Sequence, residues 1–216
     1  MVTFPDGFEQ AIAPELSAFH ALSARELPGK EMVERLTGRE TSLVTDPTWL
    51  VDAAQWAEME KAYPAVSGEY VLYFAVSQSE TLLQRCKDFA KQKGIKLVII
   101  GGNAAMVRQN TDPMLVYATD VGPEQWLHLM HHARYVFTNS FHGAAFSVLF
   151  ERDVYVQVPA HTGSRLQQVL ACLGMEAREV LPDVALTEEP VDYDGVRPAF
   201  TALKEQSLAY LENALK

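Results

Sequence analysis

Short apolar runs alternate with segments of helical periodicity from Tyr70 to the end of the chain. Five of these runs are predicted to be buried strands, at 70–76, 96–102, 114–119, 135–139 and 153–158. Strands that are apolar throughout and separated by helices are typical of a parallel sheet with helices on both faces. We therefore predict an α/β fold with a doubly wound, Rossmann-like parallel sheet. Ligands of such sheets bind beyond the carboxyl ends of the strands.

Serine and glycine residues mark the ends of the predicted helices. Ser77 and Glu80 form a capping box that predicts the start of the first helix after residue 76, and Gly94 predicts its end. The last helix is predicted from about Val196 to the chain end, because apolar positions there repeat with helical spacing.

The first 60 residues have a different pattern. A strand is predicted at 19–26, a helix at 27–38 and a second strand at 41–50, which Asp46 and Pro47 interrupt. These elements contain too little sheet for a complete domain. We therefore interpret residues 1–60 as the remnant of an N-terminal α/β domain and residues 61–216 as a Rossmann-like C-terminal domain.

Composition and charge narrow the possible partners. The formal net charge of −10 argues against a nucleic-acid partner or an acidic membrane surface, although it is compatible with one small cationic pocket. No apolar run approaches the roughly 20 residues of a transmembrane helix, and the first residues lack a secretory pattern. Cys86 and Cys172 have no metal-type spacing and are interpreted as reduced thiols in the core, which favours a cytoplasmic location.

The junction between the strand at 135–139 and the next helix carries the strongest functional signal. Asn139 or Ser140 is placed to cap that helix, and Gly143 adds no side-chain bulk to its first turn. Free amides and the helix dipole at this point favour an anion. They also favour a neutral His142 in the empty site. A bound phosphate or carboxylate would stabilise the protonated ring, which can then act as a general acid. The competing interpretation is a buried histidine bonded to the backbone.

Two arginines are further candidates for binding an anion. Arg165 follows Ser164 in the first turn of a predicted helix, where the dipole disfavours a cation unless an anion lies between them. Arg25 ends the predicted strand at 19–26, beside Glu26, which is a possible ion-pair partner. Exposed arginines without a ligand are the alternative in both cases. His161 is close enough in sequence to assist Arg165.

Three histidines in the segment 123–133 resemble a metal site but are interpreted differently. His128, His131 and His132 are predicted to project from the solvated side of an amphipathic helix. No carboxylate or cysteine is spaced along the sequence to complete a coordination sphere, so we expect no metal there.

Taken together, these segments resemble the polysaccharide pyruvyl transferase family. The resemblance rests on LSARELPGKEMVERLTG, VTDPTWL, TNSFHGAAFSVLF and GSRLQQVLACLG, in that order, and on the C-terminal segment that begins DYDGV. In the family, the segment matched by Ser140–Gly143 is the hallmark of the active site. Arg25 matches the arginine of its Ser-x-Arg-Glu motif, and Arg165 that of its Ser-Arg-Ile/Leu motif.

The resemblance implies a fold like the two-domain GT-B glycosyltransferases and a reaction that transfers pyruvate from phosphoenolpyruvate to a sugar as a cyclic ketal. His142 and Arg165 are then the expected catalytic residues. Asn139, Ser140, Gly143, Ser164 and Arg25 are the expected substrate-binding residues. The expected partners are a small-molecule donor and a saccharide acceptor, with no cofactor and no metal.

The sequence departs from the family at its beginning. Family members usually open with a glycine-rich strand-to-helix segment and several further strands, which are not seen before residues 19–26. We therefore expect the C-terminal half of such a transferase, with little or no activity by itself. An exposed sheet edge in the remnant would favour a homodimer.

Two other functions fit parts of the sequence. A GT-B nucleotide-sugar glycosyltransferase would use the same helix start for a diphosphate, but needs a carboxylate for the ribose near the fourth or fifth strand. Glu151 lies at the far end of its helix and does not fit that role. A non-catalytic domain that binds an anion or a sugar is the third possibility.

Overall fold

A computed structural model describes residues 4–160 and 163–216. The chain folds into two compact units, one formed by Met1–Leu50 with Asp194–Lys216 and the other by Val51–Tyr193. The prediction placed the boundary at residue 60 and the last helix in the second domain, whereas the first unit ends at Leu50 and includes Asp194–Lys216. Every helix in the described part of the chain is too short or too polar to cross a membrane.

The first unit begins with short elements. They are α1 Phe8–Ser17, β1 Ser23–Ala24, α2 Leu27–Thr37 and β2 Ser42–Leu43. The helix predicted at 27–38 is confirmed and ends at Gly38, which adopts a left-handed backbone conformation with φ 64°. The two predicted strands are each reduced to two residues, and they pair in parallel with Ser23 opposite Ser42.

The second of these strands is short because the chain turns at Asp46. One carboxylate oxygen of Asp46 accepts a hydrogen bond from the Thr48 amide at 3.1 Å and starts a 3-10 turn over Pro47–Trp49. Trp49 is buried, and its ring packs edge-on against Phe200 of the C-terminal helix, with 5.0 Å between centroids. Capping and aromatic burial therefore outweigh the strand propensity of this segment.

The second unit alternates helices and strands. Its elements are α3 Ala53–Ala57, β3 Tyr70–Phe74, α4 Glu80–Lys93, β4 Lys96–Ile100, α5 Ala104–Gln109, β5 Leu115–Ala118, α6 Pro123–His132, β6 Tyr135–Thr138, α7 Phe141–Leu149, β7 Asp153–Val156 and α8 Ser164–Cys172. The C-terminal helix, α9 Tyr193–Ala214, starts at the last residue of this unit. All five predicted strands are confirmed.

The five strands form one parallel sheet in the order β5-β4-β3-β6-β7. Alternate side chains of a strand point to opposite faces. Val71 and Tyr73 of β3 share a core with Leu82, Cys86 and Phe89 of α4, while the intervening Leu72 is also completely buried. Burial on both faces is why the strands are apolar throughout, and it confirms the doubly wound α/β prediction. The chain order reverses between β3 and β6, where such folds bind ligands.

The predicted start of α4 was wrong by two residues. Ser79, and not Ser77, caps this helix, since its hydroxyl accepts a hydrogen bond from the Leu82 amide at 3.1 Å. Ser77 instead accepts hydrogen bonds from Asn139. The predicted end at Gly94 is confirmed by its left-handed conformation.

Candidate active site

The start of α7 lies directly on the end of β6. Ser140 is the N-cap residue, and its hydroxyl accepts a hydrogen bond from the Gly143 amide at 3.3 Å. A Cβ atom at Gly143 would lie 2.2 Å from Thr138 Oγ1 and 3.2 Å from the Phe74 ring. Only glycine lets the first turn of α7 approach the strand so closely. The absence of a side chain at this position is therefore needed for packing against the protein's own β6.

Asn139 connects β6 to the loop after β3. Its side-chain oxygen accepts a hydrogen bond from the Val76 amide at 2.9 Å, and its Nδ2 donates to the Ser77 carbonyl at 2.8 Å and to the Ser77 hydroxyl at 3.0 Å. The side chain is buried. Asn139 therefore holds together the two loops at the point where the strand order reverses, and the capping role belongs to Ser140.

His142 and Arg165 each contact the ring of Phe141. The Arg165 guanidinium carbon lies 4.1 Å from the centroid of the Phe141 ring, and the imidazole of His142 lies edge-on to that ring with 5.4 Å between centroids. His142 is exposed and Arg165 is half-buried. Phe141 was not predicted as a site residue, although it contacts both of the expected catalytic side chains.

Contact with the aromatic ring restrains the guanidinium of Arg165. The cation is attracted to the face of the ring, while its N–H groups lie in the guanidinium plane and point outward. Such a group is suited to a carboxylate or a phosphate. The arrangement therefore restrains a positive charge against Phe141, the residue that precedes His142.

The start of α8 carries Ser164 and Arg165. Gly163 precedes the helix, and a Cβ atom there would lie 2.3 Å from a Val158 methyl group and 2.4 Å from the Pro159 carbonyl oxygen. The glycine lets α8 begin close to the segment that follows β7. Ser164 is the first helical residue and is exposed. His161 lies outside the described residues.

Arg25 lies in the first unit, where it forms an ion pair with Asp46. The Arg25 side chain is 45% exposed, whereas that of Asp46 is 2% exposed. Burial alone would raise the pKa of Asp46, but hydrogen bonds from Thr48 and the charge and hydrogen bond of Arg25 outweigh it and lower that pKa. Asp46 is therefore an ion-pair partner of Arg25 that the sequence did not reveal. Glu26 is the N-cap residue of α2.

A cleft of about 370 Å³ opens where β3, β6 and β7 end. Its lining residues are Ser77, Gln78, Ser79, Asn139, Gln157, Val158, Pro159, Ala160, Glu179, Val180, Leu181 and Pro182. His142 and Arg165 are not among them. The cleft has polar amide and hydroxyl groups and a size within the range of small-ligand sites.

The interpretation of the three histidines on α6 requires a correction. Glu60, from the segment between α3 and β3, places its carboxylate within hydrogen-bond distance of His128, His131 and His132. The expectation that no carboxylate joins them was wrong, because the sequence separation of about 70 residues hides the contact. Spacing within one helix cannot reveal a partner that tertiary folding supplies.

The fold and these contacts define an α/β protein with a cation and an imidazole near the carboxyl edge of a parallel sheet. The family model for polysaccharide pyruvyl transferase matches residues 2–156. The chain therefore belongs to the polysaccharide pyruvyl transferase family. The match includes Arg25 and the Ser140–Gly143 segment, whereas Arg165 lies beyond it.

Comparison with solved structures supports the fold. The crystal structure of AviGT4, a glycosyltransferase involved in avilamycin A biosynthesis, matches with a TM-score of 0.51 and 14% sequence identity. The match covers 99% of this chain and 79% of AviGT4. At this identity the likeness shows the fold alone. No curated protein matches the sequence.

Proposed function

We propose that the protein takes part in transferring pyruvate from phosphoenolpyruvate to two hydroxyl groups of a sugar, which leaves a cyclic ketal on a polysaccharide or its precursor. Family membership supports this reaction class. The single observation that carries the proposal is the packing of both Arg165 and His142 against Phe141. An anionic enol phosphate requires a cation that binds it and a proton donor that reaches its methylene carbon.

In this proposal the donor binds between the starts of α7 and α8. Its carboxylate or phosphate accepts hydrogen bonds from Arg165, whose guanidinium is oriented by Phe141. The positive ends of the two helix dipoles favour the same anion. The formal net charge of −10 does not exclude such a small cationic pocket.

His142 supplies the proton that starts the reaction. The protonated imidazole donates to the methylene carbon, which becomes a methyl group and leaves an oxocarbenium-like centre at the adjacent carbon. A sugar hydroxyl attacks that carbon and loses its proton. The bond between this carbon and the phosphate oxygen then breaks, inorganic phosphate leaves, and a second hydroxyl attacks and loses its proton. The two hydroxyl protons balance those gained by the methyl group and by phosphate.

The polar cleft beside Asn139 is the proposed location of the acceptor. Gln157 and the serines of the loop after β3 present amide and hydroxyl groups that suit sugar hydroxyls. Asn139 holds this loop against β6 through its three hydrogen bonds, so it is proposed to shape the cleft rather than to react.

Release of inorganic phosphate from phosphoenolpyruvate tests the reaction. Candidate sugars with neighbouring hydroxyl pairs are added, and the ketal is identified by mass spectrometry. Sugar-dependent release that is lost in His142→Gln and retained in Lys87→Gln, an exposed residue of α4, supports the proposal. Equal release by the His142→Gln variant contradicts it.

Calorimetry with different donors separates the proposal from the other two functions. Binding of phosphoenolpyruvate, with no binding of uridine or guanosine diphosphate sugars, is expected. Binding of a nucleotide sugar instead would indicate a glycosyltransferase. Binding of inorganic phosphate or a sugar, without turnover of any donor, would indicate a non-catalytic binding domain.

A further inference from the structure

The carboxylate of Glu60 is surrounded by three imidazoles at the end of α6. His128 Nδ1 lies 3.3 Å and His132 Nε2 lies 3.0 Å from the same oxygen, Oε2, whereas His131 Nδ1 lies 2.5 Å from Oε1. The Glu60 side chain is only 11% exposed. A carboxylate with so little access to water needs cationic or donor groups around it. Among the described residues, the three histidines are the groups that pair with it.

The spacing of two histidines along α6 gives them a common face. His128 and His132 are separated by four residues, about one helical turn, and their rings lie 4.3 Å apart between centroids. Two histidines with this spacing on a helix are a recurrent way to hold a divalent metal from one side. Glu60 approaches them from a different segment and supplies the third ligand atom.

The ligand atoms lie close enough together to bind one ion. One ligand atom from each of Glu60, His128 and His132 lies within 4.8 Å of the other two. Zinc bonds to imidazole nitrogen and carboxylate oxygen of about 2.0–2.2 Å require adjacent ligand atoms about 3.3–3.5 Å apart in a tetrahedron. The 3.3 Å and 3.0 Å separations from Glu60 Oε2 are close to this value.

We propose that Glu60, His128 and His132 form a binding site for Zn²⁺. Two imidazoles and one carboxylate favour a borderline ion such as Zn²⁺ over Mg²⁺ or Ca²⁺, which prefer oxygen ligands. His132 is about half exposed, so water can occupy the fourth position.

His131 has a different part in this site. It contacts the second oxygen of Glu60, and its ring stacks on Phe150 with 4.4 Å between centroids. A residue held in this way can donate a hydrogen bond to the carboxylate while the other oxygen binds the ion. We therefore assign His131 as a positioning residue for Glu60 rather than as a ligand.

The location of the site indicates a structural role. The end of α6 lies next to the beginning of β3, since the Tyr70 hydroxyl donates to the Leu129 carbonyl at 2.8 Å and the Arg134 amide donates to the Tyr70 carbonyl at 3.0 Å. Strand beginnings are at the opposite edge of a parallel sheet from strand ends, where His142 lies. A bound ion would therefore join the segment containing Glu60 to α6 and stabilise the second unit without taking part in pyruvyl transfer.

Titration calorimetry with ZnCl₂ tests the site directly, using protein from which any purification tag has been removed. We expect one ion per chain in the unaltered protein. His128→Gln, His132→Gln and Glu60→Gln should each weaken binding by more than tenfold, because each removes one ligand. His131→Gln should weaken it by about 10–100-fold, the usual effect of losing a group that orients a ligand. Far-UV circular dichroism of the metal-free variants checks that they are folded.

Two control variants remove other possible metal ligands. His20 is exposed in the first unit, and Cys172 is an exposed thiol outside the site. His20→Gln and Cys172→Ser should therefore bind Zn²⁺ as the unaltered protein does. Equal loss of affinity in these controls and in His132→Gln would overturn the proposal, as would the absence of binding in the unaltered protein.

Cobalt provides a second readout that reports coordination geometry. Co²⁺ in a tetrahedral site absorbs visible light much more strongly than Co²⁺ with six ligands. The unaltered protein should gain this absorption on titration with CoCl₂, and His128→Gln should not. A thermal unfolding midpoint that rises with Zn²⁺ in the unaltered protein, but not in His128→Gln, is the expected stability effect. An equal rise in both proteins contradicts the assigned ligands.

Discussion

Replacing Gly143 by alanine tests how the active-site turn is held on the sheet. The new Cβ atom would lie 2.2 Å from Thr138 Oγ1 and 2.9 Å from Thr138 Cβ. Both distances are below any ordinary contact between such atoms. Thr138 is a fully buried, β-branched residue of β6, so it has little room to move away.

The expected loss of stability follows from these contacts. Overpacking a filled interior typically costs about 1–3 kcal/mol. Displacing Thr138 would also break the hydrogen bond that its hydroxyl accepts from the Ser140 amide at 3.0 Å, which adds about 1 kcal/mol. The higher helix propensity of alanine offsets at most about 1 kcal/mol. We therefore expect Gly143→Ala to lower the free energy of unfolding by about 2 kcal/mol.

Gly29 offers a matched control because it also occupies the third position of a helix. A Cβ atom there would lie no closer than 3.5 Å to its neighbours, which is ordinary contact. Gly29→Ala should be neutral or stabilising by up to about 1 kcal/mol. Urea unfolding followed by circular dichroism measures both variants. The reasoning is refuted if Gly143→Ala is as stable as the unaltered protein, or if Gly29→Ala loses as much stability.

Three further predictions concern other parts of the chain. Asn139→Ala removes three hydrogen bonds and should cost about 2–4 kcal/mol; an unchanged urea midpoint would contradict this. Burial raises the pKa of Cys86, so Cys172 should react with a thiol reagent in the folded protein and Cys86 only after unfolding; two rapid reactions would contradict it. The pKa of Asp46 is lowered in the folded state. The ionised carboxylate therefore stabilises the fold above about pH 4, the pKa of Asp in the unfolded chain, and this stabilisation is lost as the pH falls through the lower pKa of the folded state. Urea midpoints should therefore fall on acidification, less so in Asp46→Asn; identical profiles would contradict this.

The sheet could be predicted from the sequence because its signal is local and repeated. Each strand is a run of residues buried on both faces, as Val71 and Leu72 illustrate, and a helical segment separates each strand from the next. The position of Ser140 at the end of β6 follows from this pattern, and so does its capping of α7. Such features depend on neighbours within a few residues.

Contacts between distant segments could not be predicted in this way. The stacking of Arg165 on Phe141 joins two helices, and Glu60 reaches α6 from a segment about 70 residues earlier. The prediction that Ser77 caps α4 was wrong for the same reason, because Ser77 accepts hydrogen bonds from the distant Asn139, which follows β6. The Asp-Pro pair at Asp46 did carry a local signal, since it starts a turn and so shortens the strand that the apolar pattern predicts.

The affinity for phosphoenolpyruvate in four proteins tests the central claim, that His142 and Arg165 act on the same anion. Calorimetry compares the unaltered protein with His142→Gln, Arg165→Gln and the control Lys87→Gln. Loss of a hydrogen bond between charged groups costs about 1.5–3 kcal/mol, so Arg165→Gln should bind at least about tenfold more weakly. We expect His142→Gln to be weakened as well and Lys87→Gln to bind normally. Unchanged affinity in both His142→Gln and Arg165→Gln would contradict the account.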